Sequence, residues 1–69
     1  MENKQLICDL LLPCLQKTRN LDNLNSLEYV REGYNETVKA TFNNGYVKLA
    51  NVSSDSGTAM IQDILRAIV

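Results

Sequence analysis

Hydrophobic positions recur along this chain with two periods, helical at its ends and strand-like in its middle. Leu6, Ile7, Leu10, Leu11, Cys14 and Leu15 return every three or four residues, while Lys4, Asp9, Gln16 and Lys17 fall away from that stripe. This is the pattern of an amphipathic helix. Pro13 offers no amide to the carbonyl of Asp9 and crowds the preceding turn, so the helix is expected to kink there or end just before it. Leu12 projects about 150° from the centre of the stripe, counting about 100° per residue, and the packing of that face does not account for it.

Between Thr18 and Ser26 the residues Asn20, Asp22, Asn23 and Asn25 favour turns through side-chain to backbone hydrogen bonds, and Leu21 and Leu24 anchor the connection. Leu27 to Arg31 reads as a strand, Gly33 and Asn35 mark a reversal, and a second strand runs from about Glu36 to Phe42. Asn44-Gly45 suits the two positive-φ positions of a type I′ turn, which pairs Phe42 with Val47 and Ala40 with Leu49. Those four side chains then share one face with Val38, leaving Thr37, Lys39, Thr41, Tyr46 and Lys48 on the other.

Ser53, Ser54, Asp55 and Ser56 supply oxygen acceptors for the free amides that open a helix. After them Met60, Ile61, Ile64, Leu65 and Ile68 form a continuous stripe opposite Thr58, Gln62, Asp63 and Arg66. Two one-faced helices and three antiparallel strands with one apolar face bury that surface most simply as two layers. The expected fold is therefore one α+β domain over residues 1–69, ordered α-β-β-β-α, with both helices on one face of a three-stranded antiparallel sheet.

Length and charge narrow the function classes. A chain of 69 residues has a marginal core that a partner or a second copy would help to stabilise. Seven basic and eight acidic residues leave a formal charge of −1, which draws no polyanion. The apolar fraction of 45% argues against disorder. The run LICDLLLPCL is too short to span a bilayer; Glu2 precedes it, Asp9 interrupts it, no small-x-small cleavage site follows, and Pro13 stands before Cys14. A cytoplasmic protein without membrane attachment is expected, in which the sequons at Asn35 and Asn51 carry no glycan.

Candidate chemistry is sparse. The chain has no histidine, and Cys8 and Cys14 alone cannot complete a zinc tetrahedron. On a continuous helix their Cα atoms stand about 9 Å apart, too far for a disulfide. There is no nucleophile elbow, phosphate-binding glycine loop or metal-ligand cluster, so neither a catalytic residue nor a cofactor is assigned, and Glu28, Glu32 and Glu36 read as solvated edge or turn residues. The segment Ser54, Ser56, Gly57 and Thr58 opens a helix where amides and hydroxyls can hold an anion, although Asp55 opposes one there and capping explains the same residues. Lys39, Tyr46 and Lys48 on the exposed sheet face form a sparse nucleic-acid platform.

The order helix, three strands, helix resembles the double-stranded-RNA-binding domain. That family grips phosphates with a basic cluster at the start of its second helix, where this chain has Ser54-Asp55-Ser56-Gly57-Thr58 and no lysine, so the resemblance implies topology and not RNA binding. The segment FNNGYVKLANVSSDSGTAMIQDILRAI is similar to the closing part of short proteins of phages and mobile elements of Gram-positive bacteria. This implies a small accessory protein and transfers no functional residue. The expected role is a non-enzymatic protein-interaction module that can self-associate, with Leu12 and Val69 as its unexplained apolar positions. Weak nucleic-acid binding on the sheet face and small-anion binding at the second helix are the alternatives.

Overall fold

A computed structural model describes residues 3–69; Glu2, ahead of the first apolar run, lies outside them. The elements are α1 (Lys4–Gln16), β1 (Leu24–Glu32), β2 (Asn35–Phe42), β3 (Val47–Asn51) and α2 (Gly57–Ile68). The strands pair antiparallel in the order β1-β2-β3. Cys8 and Leu15 of α1 and Met60, Ile64 and Ile68 of α2 join Leu24, Leu27, Val38, Ala40, Phe42 and Ala50 in one buried cluster. Both helices therefore cover the same face of the sheet, giving the expected two-layer α+β fold.

Asn3 caps α1 by accepting from the amide of Leu6 at 3.0 Å. The helix does not end before Pro13 but runs through it to Gln16. Burial of Leu15 and a 2.9 Å bond from Gln16 Nε2 to the carbonyl of Leu24 hold the last turn in place, and Pro13 itself is exposed. The roll of α1 also differs from the expected one. Its buried centre is Cys8 and Leu15, and Ile7, Leu11 and Leu12 pack against the core, whereas Leu6, Leu10 and Cys14 are exposed. Leu12 is thus accounted for by the core. Gln5, Leu12 and Gln16 share one flank of the helix at spacings of seven and four, and the hydrogen bonds of the two glutamines to β1 turn that flank inward.

β1 begins earlier than Leu27 because a bulge between Leu24 and Ser26 places one extra residue opposite β2. The bulge lets Leu24 and Leu27 both face the core although three positions separate them. Glu32 then pairs with Asn35 across the Gly33-Tyr34 loop, with Gly33 at φ +63° where an L side chain is strained.

The β2–β3 hairpin is one residue out of the expected register. Gly45 has φ +86° but Asn44 does not have positive φ, so no type I′ turn forms. Instead Gly45 N–H donates to Phe42 O at 2.9 Å and Phe42 N–H to Tyr46 O at 2.8 Å, which makes Asn43-Asn44-Gly45 a loop of the turn-plus-bulge kind. Val38 pairs with Ala50, Ala40 with Lys48 and Thr41 with Val47. Because one step of register exchanges the two faces, Lys48 and Ala50 lie on the core side, and Val47 and Leu49 on the outer side.

Candidate functional site

The outer face of the sheet can be read row by row. Ser26, Thr41 and Val47 form one row, Glu28, Lys39 and Leu49 the next, and Val30, Thr37 and Asn51 the third. Polar side chains dominate over β1 and β2. The large apolar side chains exposed on this face lie on the edge strand, Val47 at 43% and Leu49 at 64% exposure.

The two edges of the sheet are treated differently. In an antiparallel sheet a strand's residues point their N–H and C=O groups alternately to either side. On β1 the outward set includes Leu27 and Tyr29, and Gln5 fills it like a peptide group of a further strand: its Oε1 accepts from Tyr29 N–H at 2.9 Å and its Nε2 reaches Leu27 O at 3.4 Å. A 2.8 Å bond from Gln5 Nε2 to Asp9 Oδ1 fixes the amide. On β3 the bonds from Phe42 N–H to Tyr46 O and from Val52 N–H to Glu36 O place the even-numbered residues toward β2. Val47, Leu49 and Asn51 therefore direct their backbone groups off the edge, and among the described residues nothing bonds to them there. β3 carries no proline or bulge, and its one charge is turned inward, Lys48 Nζ lying 5.8 Å from the centroid of the Phe42 ring.

The residues singled out from sequence do not assemble into one site. Lys39 is on the outer face and Lys48 on the core side, so the two lysines do not form the shared platform expected of them. Tyr46 and Lys48 instead border an open groove of about 360 Å³ with Asn20, Asn23 and Asn44 around Phe42. Val69 is 77% exposed beyond the end of α2, and Leu12 lies on the core. At the start of α2, Ser56 is the cap, its Oγ accepting from Ala59 N–H at 3.3 Å, with Gly57 buried and Thr58 exposed. Ser54, at φ +62°, gives its N–H to Glu36 Oε1 at 3.0 Å, so that amide faces a carboxylate of the chain itself.

Glu36 was not expected to be more than a solvated turn residue, and it is the hub of a polar cluster. Its carboxylate accepts from Lys4 Nζ at 2.6 Å, from the Tyr29 hydroxyl and from Ser54 N–H, and its backbone N–H donates to Ser53 Oγ at 2.9 Å. The Lys4 bond first, then the other two, hold its carboxyl down to about 2. The same hydrogen bond raises the Tyr29 phenol above its ordinary range. These contacts tie α1, β1, β2 and the loop before α2 together. The only sequence signal for them was the coincidence of a lysine, a tyrosine and a glutamate that the topology brings to one end.

Asp55 does not cap. Its carboxyl is within hydrogen-bonding reach of Asp63, which raises its pKa. Burial lifts the Cys8 thiol to about 11, leaving it a poor nucleophile at neutral pH. Among the described residues no three His, Cys, Asp or Glu side chains converge as a metal site, and no helix is long and apolar enough to cross a membrane. The chain matches no protein-family model, and no curated protein and no solved structure proves significantly similar to it.

Proposed function

We propose that this chain is a protein-interaction module whose binding element is the open edge of β3 with the adjoining side chains of Val47 and Leu49. The observation that carries the reading is the inequality of the two edges: Gln5 holds the Leu27 carbonyl and the Tyr29 amide at the middle of the β1 edge, while no side chain reaches the outward groups of Val47, Leu49 and Asn51, which lie bare beside exposed apolar side chains. Natural sheets normally block such an edge with charge, proline, a bulge or a covering segment, and an unblocked one pairs with another strand. Strand addition gains affinity from main-chain hydrogen bonds and selectivity from alternate side chains, and needs no catalytic or cofactor-binding group.

Photo-crosslinking tests this reading. A photoreactive residue at position 49, compared with one at exposed position 19, is expected to give a discrete adduct from 49 alone, mapped by mass spectrometry to one extended segment of the partner. Equal labelling from both positions, or none from 49, would overturn it.

A further inference from the structure

The occupant of the β3 edge can be specified further, and the step rests on the proposal just made. We infer that the edge pairs with the same edge of a second copy, antiparallel and two-fold symmetric about Leu49, to give a continuous six-stranded sheet.

The backbone restricts the registers. Hydrogen-bonded pairs across the new junction must join outward-directed residues, which are Val47, Leu49 and Asn51 on each copy. The two-fold registers that join at least two such pairs are centred on residue 48, 49 or 50. Centring on 48 sets Lys48 directly against the second copy's Lys48, a destabilising like-charge pair. Centring on 50 leaves Val47 outside the ladder. Centring on 49 engages all five residues, pairs Leu49 with its own counterpart and Val47 with Asn51, and puts each Lys48 opposite the small Ala50. Charge and length thus select the same register.

Side chains and closure favour a copy over an unrelated strand. The row Glu28–Lys39–Leu49 continues into its two-fold-related row, so the exposed leucines meet in the middle and the charged pairs remain at the flanks. The two-fold contact uses the β3 edge of both copies, so it is closed, and Gln5 interrupts each copy's other edge at Leu27 and Tyr29 against propagation into a fibre. A ladder of five residues with two apolar side chains a copy is at the small end of specific interfaces. The association is therefore expected to be weak and reversible.

Sedimentation equilibrium under reducing conditions, run alongside concentration-dependent amide spectra, tests the inference. The chain is expected to move from monomer to dimer with concentration, with the amides of Val47, Leu49 and Asn51 gaining protection. Leu49→Lys and Leu49→Pro are expected to be folded monomers by circular dichroism. Residue 49 gives no bond to β2, so proline there removes only an outward donor. If either variant fails to fold, Leu49→Cys in a Cys14→Ser background decides: mild oxidation should link it to its counterpart by a disulfide, whereas Lys39→Cys in the same background, one strand back from the junction on each copy, should form no intermolecular disulfide. A chain that stays monomeric to submillimolar concentration overturns the inference. So does a dimer that survives at Leu49→Lys or is lost at Leu10→Glu on α1. In the monomeric case a position-49 adduct with a different protein would still uphold the interaction-module reading, which fails only if that adduct is also absent.

Discussion

Asp55 faces Asp63 across the first turns of α2 with its Oδ2 buried and without a hydrogen-bond partner. The neighbouring Asp63 carboxyl, then burial, disfavours the charged form of Asp55 and raises its pKa. A folded-state pKa above the unfolded one means stability that is complete below the unfolded value and is lost as pH rises through the folded one. At neutral pH the Asp55 carboxylate is therefore a liability. Asp55→Asn, which supplies an N–H to Asp63, is expected to raise the melting temperature at pH 7 and to flatten its fall as pH rises above the ordinary aspartate range. Ser56→Ala, which removes the real cap, should cost about 1 kcal/mol. Destabilisation by Asp55→Asn at pH 7 would show that the carboxylate has a partner the geometry does not provide.

Glu36 gives the opposite slope. With its carboxyl held at about 2 against an ordinary 4.5, its contribution is present above pH 4.5 and drains away as pH falls toward 2. Urea midpoints measured between pH 6 and pH 2 should fall in the natural chain and fall less in Glu36→Gln, which keeps an acceptor for Lys4 and Tyr29 but cannot titrate. Because Lys4 is on α1 and Ser54 precedes α2, Glu36→Ala should also loosen both helix starts, visible as faster exchange of the amides of Leu6 and Ser54. Parallel acid profiles for the natural chain and Glu36→Gln would remove the carboxylate from this role.

Gln5 is predicted to act on the sheet edge rather than on the helix. Gln5→Ala removes two bonds to β1 while favouring α1 by propensity, so a net loss of about 1–2 kcal/mol would measure the edge contacts. The Tyr29 amide should lose protection in hydrogen exchange, and the protein should become more prone to aggregate through β1. An unchanged Tyr29 exchange rate would mean that the edge is protected by something other than this side chain.

These residues also show where the sequence was readable. The helices and strands were legible because each stripe keeps one period over several turns or residues, and Ser56 stands in a run of capping residues before a clear helical stripe. The roll of α1 was not, because Gln5 and Gln16 look like solvent-side polar residues until β1 is placed beside them. Leu12 on their flank consequently looked unexplained. The bulge at Leu24 to Ser26 breaks the two-residue period and hides the first residues of β1. The edge site depended on the register, and Asn44-Gly45 is compatible with either hairpin loop. The choice between them lies in whether Asn43 belongs to the strand or to the loop, a difference of one residue that inverts every side chain of β3.

That inversion can be measured directly. In the observed register Leu49 faces outward and Ala50 inward, buried against the core beside Val38. At concentrations low enough for the chain to be monomeric, Leu49→Ala should then change stability by no more than about 0.5 kcal/mol, as surface substitutions do. Were Leu49 in the core, the same truncation would cost about 2–5 kcal/mol. Ala50→Leu provides the reciprocal test, since enlarging a side chain at a closely packed inward position should cost about 1–3 kcal/mol, whereas at an outward position it would be nearly neutral. Urea denaturation of the two variants therefore has opposite outcomes for the two registers. A costly Leu49→Ala with a harmless Ala50→Leu would return Lys48 to the outer face, place Leu49 in the core and remove the apolar edge on which partner binding by β3 depends.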